Sequence, residues 1–412
     1  MKKKTEKTFI AAIFVAVLFL PELLPAQCNL PLSGWERFNK SVFDGFMHAY
    51  NPCIIEVPDT EYPFRMWFFG WIIEDCNPEY LGCDAIYHAR SKDLMHWEAF
   101  CKDGSWDSTK NVRLWASVLH TPDNAPRIYD AGNTADLAWS QPGNRGNSYD
   151  SWHTGDPSVV YKDGTYYMAY SATSYDIIQP VEGYDHALIQ CIMGATSVDG
   201  INWYRTEKPL LIAKEDLKNV FPPKPAPGRI GDFHRPSLLW DDENKKWKLY
   251  FDYSNKGCHT GMAENSGDFR TGTFQFIHPL DKPLIFNWDN PQVVQLNKNC
   301  YYCFGDPAGY KFELPKGKIP SHWPSRQINV AKSEDGIHWT KEYIIPPDPG
   351  IDACQVPQTI VVKRDGKSWL YLFYATQVGW RDNGVKYKRF EGKKNEYNWY
   401  YDQIRYMRQE IK

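Results

Sequence analysis

The sequence lacks an excess of either charge. Its 412 residues hold 47 Lys and Arg against 50 Asp and Glu, a formal net charge of −3. A nucleic-acid-binding domain would carry a basic patch or stripe, so nucleic acid is excluded as the expected partner. Long apolar runs are also scarce. The clearest one, Phe9 to Leu20, has only 12 residues, too few to span a bilayer comfortably. It follows Met1-Lys2-Lys3-Lys4 and precedes Leu24-Pro25-Ala26, which ends in a small residue suited to cleavage. This pattern predicts a secretory signal peptide over residues 1–26 and one mature domain over 27–412. A secreted or periplasmic location follows, with no membrane span. A lipid anchor on Cys28 is disfavoured, because Gln27 is not the small residue that such processing needs.

Metal-ligand spacing is missing as well. Among the ten Cys, Cys300 and Cys303 form a C-x-x-C with no second pair at zinc-finger spacing. They sit in an apolar, strand-like run and are expected to be buried thiols. Cys76 and Cys83 bracket a short loop and are the best candidate disulfide, which export would allow. No cofactor is required by any motif. A central Ca2+ ion is compatible with the oxygen ligands present, but no spacing demands it.

What the chain has in quantity is aromatic residues, 17 Trp and 26 Tyr, arranged in a repeat. "YNPCIIEV", "GDPSVVYK", "HRPSLLWD", "DNPQVVQL" and "QVPQTIVV" each place a proline before a β-branched or Leu-rich run. These are Pro52, Pro157, Pro236, Pro291 and Pro357. An aromatic-rich run follows each, such as "FRMWFFGW" or "TYYMAYSA". Then comes a hairpin with a Ser-x-Asp turn and a Trp beyond it, as in "SVDGINW" and "SEDGIHW". Asp199 and Asp335 in those turns are read as turn chemistry. Each unit thus holds four short antiparallel strands, A to D, and five units predict an all-β, five-bladed β-propeller. The last unit ends without a strand D, and the mature N-terminus offers a D without a C. Trp35 to Val42 is therefore expected to pair with Ile404 to Glu410 and close the ring.

In such a ring the A strands line the channel, and the residues before the five prolines converge at one mouth. A following proline is expected to hold each in the β or polyproline region. His48, Asn51, His153, Asp156, Asp232, His234, Arg235 and Gln355 gather there. Trp71, Asp84, Tyr175, Asp306 and Arg326 join them from the B-end and C-start loops. Asp156 is expected to point into the channel beside His153.

The proline-led strands, "GDPSVV…YYMAYSA" and the S-x-D-G-x-x-W hairpins resemble the five-bladed propeller glycoside hydrolases. Those are the family 43 arabinanases and xylosidases, the invertase-like enzymes and the neoagarobiose hydrolases. The resemblance spans residues 35 to 410. It implies a base before the first-blade proline, an orienting Asp before the second and an acid two residues before a later one. Asp156 matches the orienting position. Asn51 stands where the base should be, and His234 and Gln355 stand where a Glu acid should be. In the neoagarobiose relatives a histidine is thought to act as the acid, which gives His234 a precedent.

Glycoside cleavage needs one group to protonate the leaving oxygen and another to activate water or attack carbon. Asp156 and His234 are the first candidates, then Asp232, with Asp84 as a substitute for the missing first-blade carboxylate and Asp306 as another possible base. His48, Asn51, Trp71, His153, Tyr175, Arg235, Asp306, Arg326 and Gln355 are the expected sugar contacts. A mouth carrying His48, His153, His234 and Arg235 would suit an anionic sugar. Two functions stay open: an exported glycoside hydrolase acting on a plant or algal oligosaccharide or polysaccharide, and a catalytically silent sugar-binding propeller. A monomer is expected.

Overall fold

The computed structural model describes residues 30, 34–43, 48–71, 85–111, 114–120, 149–150, 153–174, 189–212, 231–254, 258–307, 327–346, 353–377 and 402–411. The signal-peptide region, Cys76 and Cys83 lie outside them. The fold is all-β, with five four-stranded antiparallel blades in a ring. Strand β1 (Glu36–Phe43) comes first in the chain but belongs to the last blade. Blade 1 is β2 (His48–Glu56), β3 (Phe64–Trp71), β4 (Ala85–Ser91) and β5 (Trp97–Phe100), extended by β6 (Trp106–Asp107) and β7 (Ser117–His120). Blade 2 is β8 (His153–Lys162), β9 (Thr165–Ser174), β10 (Ile189–Ser197) and β11 (Tyr204–Arg205). Blade 3 is β12 (Gly231–Asp241), β13 (Lys246–Ser254), β14 (Cys258–Asn265) and β15 (Gln275–Phe276). Blade 4 is β16 (Trp288–Asn297), β17 (Cys300–Pro307), β18 (Ile328–Ser333) and β19 (Thr340–Ile345). Blade 5 is β20 (Ala353–Arg364), β21 (Lys367–Gln377) and β22 (Asp402–Ile411). Strand β1 completes it, with Glu36 opposite Arg408 and Phe38 opposite Tyr406. The ring closes as the sequence predicts.

The aromatic B strands show why the repeat folds this way. Successive side chains of a strand point to opposite faces. Met66 and Phe68 on β3 pack against blade 5, while Trp67 packs against blade 2. Leu249 and Phe251 on β13 face blade 2, and Tyr250 faces blade 4. On β17, Tyr301 and Cys303 face blade 3, and Tyr302 and Phe304 face blade 5. Both faces of each blade are therefore apolar, and a separate core fills each junction between neighbours. The Ser-x-Asp turns are built as expected. Asp199 Oδ1 and Asp335 Oδ1 each accept two backbone N–H bonds, and Trp203 and Trp339 donate back to Gly200 and Gly336.

Two expectations fail. Cys303 is a free buried thiol, but Cys300 is disulfide-bonded. The second failure concerns the prolines. They do not begin their strands; each lies inside an A strand, at a bulge. The register slips between Tyr50 and Cys53, Gly155 and Ser158, His234 and Ser237, Asp289 and Gln292, and Gln355 and Gln358. The residue before each proline is not in the β or polyproline region. Asn51, Asp156, Arg235, Asn290 and Val356 have φ of 41, 49, 45, 48 and 46°. A left-handed residue other than glycine costs about 1–2 kcal/mol, so something must hold these five in place.

Bonds between blades hold three of them. Arg235 N donates to Ser171 Oγ at 2.8 Å, Asn290 N to Asp252 Oδ2 at 2.9 Å, and Val356 N to Asp306 Oδ2 at 3.1 Å. Ser171, Asp252 and Asp306 hold the same place in β9, β13 and β17, each opposite the residue two before the proline of its own blade's A strand. A second set lies just past the prolines. Cys53, Ser158, Ser237 and Gln292 side chains accept from the backbones of Val159, Leu238, Val293 and Thr359 in the following blade. Each bond satisfies a buried donor and locks two blades together.

Candidate active site

The bulge sets the direction of two side chains per blade, those one and two residues before the proline. A bulge bends its strand and re-aims side chains, which is why bulges recur beside active sites. Around the mouth the pairs are Tyr50 and Asn51, Gly155 and Asp156, His234 and Arg235, Asp289 and Asn290, and Gln355 and Val356.

Asp156 is the centre of one cluster. It is 2% exposed. Asn51 Nδ2 donates to its Oδ1 at 2.9 Å. His234 Nε2 lies 3.1 Å from its Oδ2, close enough for an ion pair but not aligned as a hydrogen bond. His153 Nε2 is 4.0 Å from the same oxygen. The His153 ring stands edge-on to Phe69, and Gly155 leaves room for it: a Cβ there would meet the ring and Phe69 at 3.0 Å. Burial alone would raise the Asp156 carboxyl. The neighbouring His234, Arg235 and His153 and the Asn51 amide outweigh it, so Asp156 titrates below the usual carboxylate range. Burial, and then Arg235, push His234 down to about 3. These two directions compete, because a neutral imidazole cannot also supply the charge that lowers Asp156. The permanent Arg235 charge favours an ionised Asp156, and burial together with that charge favours a neutral His234 beside it at neutral pH. A neutral imidazole is a proton acceptor.

Arg235 anchors a second cluster. Its Nη1 lies 2.5 Å from Asp289 Oδ1 and 3.2 Å from Asp252 Oδ2. Cys258 Sγ donates to Asp289 Oδ1 at 3.2 Å. Arg235 was expected to face an anionic sugar; it is instead engaged by two carboxylates of its own chain. Asp306 is fully buried, with Asn290 Nδ2 2.5 Å from Oδ2 and the Val356 N–H on both oxygens. It ties blades 4 and 5 together. Gln355 is 2% exposed, opposite Ala375. His48, Trp71 and Asp232 lie on β2, β3 and β12, where only their backbone is described. Asp84, Tyr175 and Arg326 fall outside the described residues.

The clusters also bear on metal binding. Donor atoms of His153, Asp156 and His234 lie within 4.8 Å of one another. Two imidazoles and one carboxylate would suit a transition-metal ion better than calcium, which prefers oxygen ligands. Asp252, Cys258 and Asp289 are equally close, but the Arg235 guanidinium already supplies the positive charge there.

Asp289 is the member of the site that sequence reasoning underweighted. It occupies in blade 4 the position that His234 occupies in blade 3, two residues before the proline, and that alignment was its available signal.

No family model and no curated protein sequence matches the chain. Solved structures do. A glycoside hydrolase has a TM-score of 0.53 at 14% identity, covering 90% of this chain and 90% of that one. Zg3597, a family 117 glycoside hydrolase from the marine bacterium Zobellia galactanivorans, has 0.52 at 12%, covering 91% and 89%. The Bombyx mori family 32 β-fructofuranosidase BmSUC1 has 0.52 at 14%, covering 90% of this chain; the chain spans 62% of the silkworm enzyme's length. The chain shares the propeller fold of these glycoside hydrolases. Likeness at this identity establishes the fold alone.

Proposed function

We propose that this chain is a glycoside hydrolase that cleaves O-glycosidic bonds at the propeller mouth. The observation that carries this reading is the 3.1 Å contact between buried Asp156 and His234, the two positions where the sequence resemblance implies an orienting Asp and an acid. An ionised carboxylate against a neutral imidazole can take a proton from water as it attacks the anomeric carbon. Asn51, as an amide donor, fixes the carboxylate rather than acting as a base. Because Arg235 is neutralised within the protein, a neutral sugar is favoured over an anionic one. The proposed enzyme is a monomer, exported to the periplasm or beyond, acting on plant or algal oligosaccharides or polysaccharides.

A second reading is favoured by Asn51 itself, which stands where the resemblance implies a carboxylate: a propeller that binds sugar without cleaving it. A panel of neutral and acidic oligosaccharides decides between them, assayed for reducing ends and, by calorimetry, for binding. Cleavage abolished by Asp156→Asn supports the hydrolase. Binding without turnover by the wild type supports the silent module.

A further inference from the structure

The five bulges place ten residues before their prolines, one of them Gly155, and two of the ten carry carboxylates: Asp156 and Asp289. Asp289 is 8% exposed. One guanidinium, Arg235, serves both Asp289 and Asp252. A carboxylate oxygen of each lies within 4.8 Å of one on the other, and Asp252 also accepts the Asn290 N–H. Arg235 and His234 face the pair from β12, Cys258 from β14 and Asn290 from β16; Tyr50 on β2 faces Arg235. Two adjacent carboxylates resist ionising together. One arginine offsets one negative charge, so the second is relieved by retaining a proton. Burial, with the Asp289 charge added, holds the Asp252 carboxyl well above the usual range, although Arg235 acts against it.

We infer that Asp289 is the second reacting carboxylate of this site, holding one proton in common with Asp252 and delivering it to the leaving oxygen. This rests on the hydrolase reading. The proton moves from Asp289 to the glycosidic oxygen as that oxygen's bond to the anomeric carbon breaks. Water bonds to the carbon, and its surplus proton passes to the Asp156–His234 pair. Solvent then returns that proton to Asp289. The net change is one water consumed and two hydroxyls formed. Asp252 is a positioning residue; it holds the common proton while Asp289 pairs with Arg235 and so keeps that proton available to Asp289.

Two measurements test this. Infrared difference spectra at neutral pH should show the carbonyl stretch of a protonated carboxylic acid, lost in Asp252→Asn and in Asp289→Asn. Its absence from the wild type overturns the proposal whether or not a substrate is known. Kinetics form the second arm. Asp289→Asn should lower kcat by about 10²–10⁴-fold on a natural linkage. On the matching glycosyl fluoride, whose leaving group needs no proton, it should lose less than about tenfold. Asp252→Asn should shift the alkaline limb of the pH profile to lower pH. Equal losses on both substrates, or an unmoved alkaline limb, overturn the acid role while the hydrolase reading stands. If the wild type cleaves nothing, that reading falls and the acid role with it, while the infrared arm still decides the shared proton.

Discussion

Aspartates do opposite work at the two ends of the propeller. In the outer turns, Asp93, Asp199 and Asp335 gather backbone N–H donors and sit below the usual carboxylate range; burial opposes this, and the hydrogen bonds outweigh it. Each is satisfied by its own hairpin within three residues. At the mouth, Asp156, Asp252 and Asp289 are held mainly from a distance, with only His153 approaching Asp156 from its own strand, at 4.0 Å. Their other partners come from other strands and, in several cases, other blades: Asn51 lies 105 positions from Asp156, and Arg235 lies 54 from Asp289. A carboxylate satisfied locally stabilises its turn. A carboxylate satisfied by distant histidines and arginine has a protonation state set by the assembly, which is what acid–base chemistry requires.

The strongest way to sharpen this contrast is to remove the mouth groups. Asp156→Asn and His234→Ala should each reduce turnover of a cleaved oligosaccharide by about 10²–10⁴-fold with circular dichroism unchanged. His234 also gives a pH signature. Its folded pKa is about 3 against about 6.5 unfolded. The unfolded chain therefore takes up a proton there that the native one does not. Native stability should fall as pH drops from about 6.5 toward about 3, and His234→Gln should flatten that slope in urea titrations at several pH values.

Next in size are the inter-blade latches. Ser158→Ala leaves the buried Leu238 N–H without its 2.8 Å partner and should cost about 1–3 kcal/mol in denaturant unfolding. Activity should change little at saturating substrate. Smaller again is the outer turn. Asp199→Ala should cost about 1 kcal/mol, since the group is solvent-screened. Its contribution is present above the unfolded carboxylate pKa and is lost as pH falls toward about 2. An Asp199 variant that lost turnover would break the division between the two ends. Smallest is Val356→Gly. Relief of the left-handed strain should offset most of the lost burial, for a net cost below about 1 kcal/mol. Val293→Gly, beyond the corresponding bulge of blade 4, has no strain to relieve and should cost about 3 kcal/mol.

The fold was legible because it is written in short-range pattern. Proline-led runs, aromatic B strands and S-x-D-G turns each repeat within a few residues, and even the β1–β22 pairing could be found from two incomplete units. The mouth was legible as a list of residues but not as a set of contacts. Asp156 and His234 could be chosen because both precede prolines; that Asp252 and Asp289 share Arg235 depends on how three strands of two blades meet. The backbone before the prolines was misread for a similar reason. The local rule favours extended conformations, and here side-chain acceptors on β9, β13 and β17, bound to the N–H groups of Arg235, Asn290 and Val356, override it.

The same left-handed step has an engineering consequence. Each blade offers a two-slot socket, occupied by a dipeptide whose orientation the scaffold dictates, and blade 2 alone demands glycine in its first slot. Exchanging the dipeptides of two sockets would rotate the reactive constellation around the rim, leaving the cores between blades untouched.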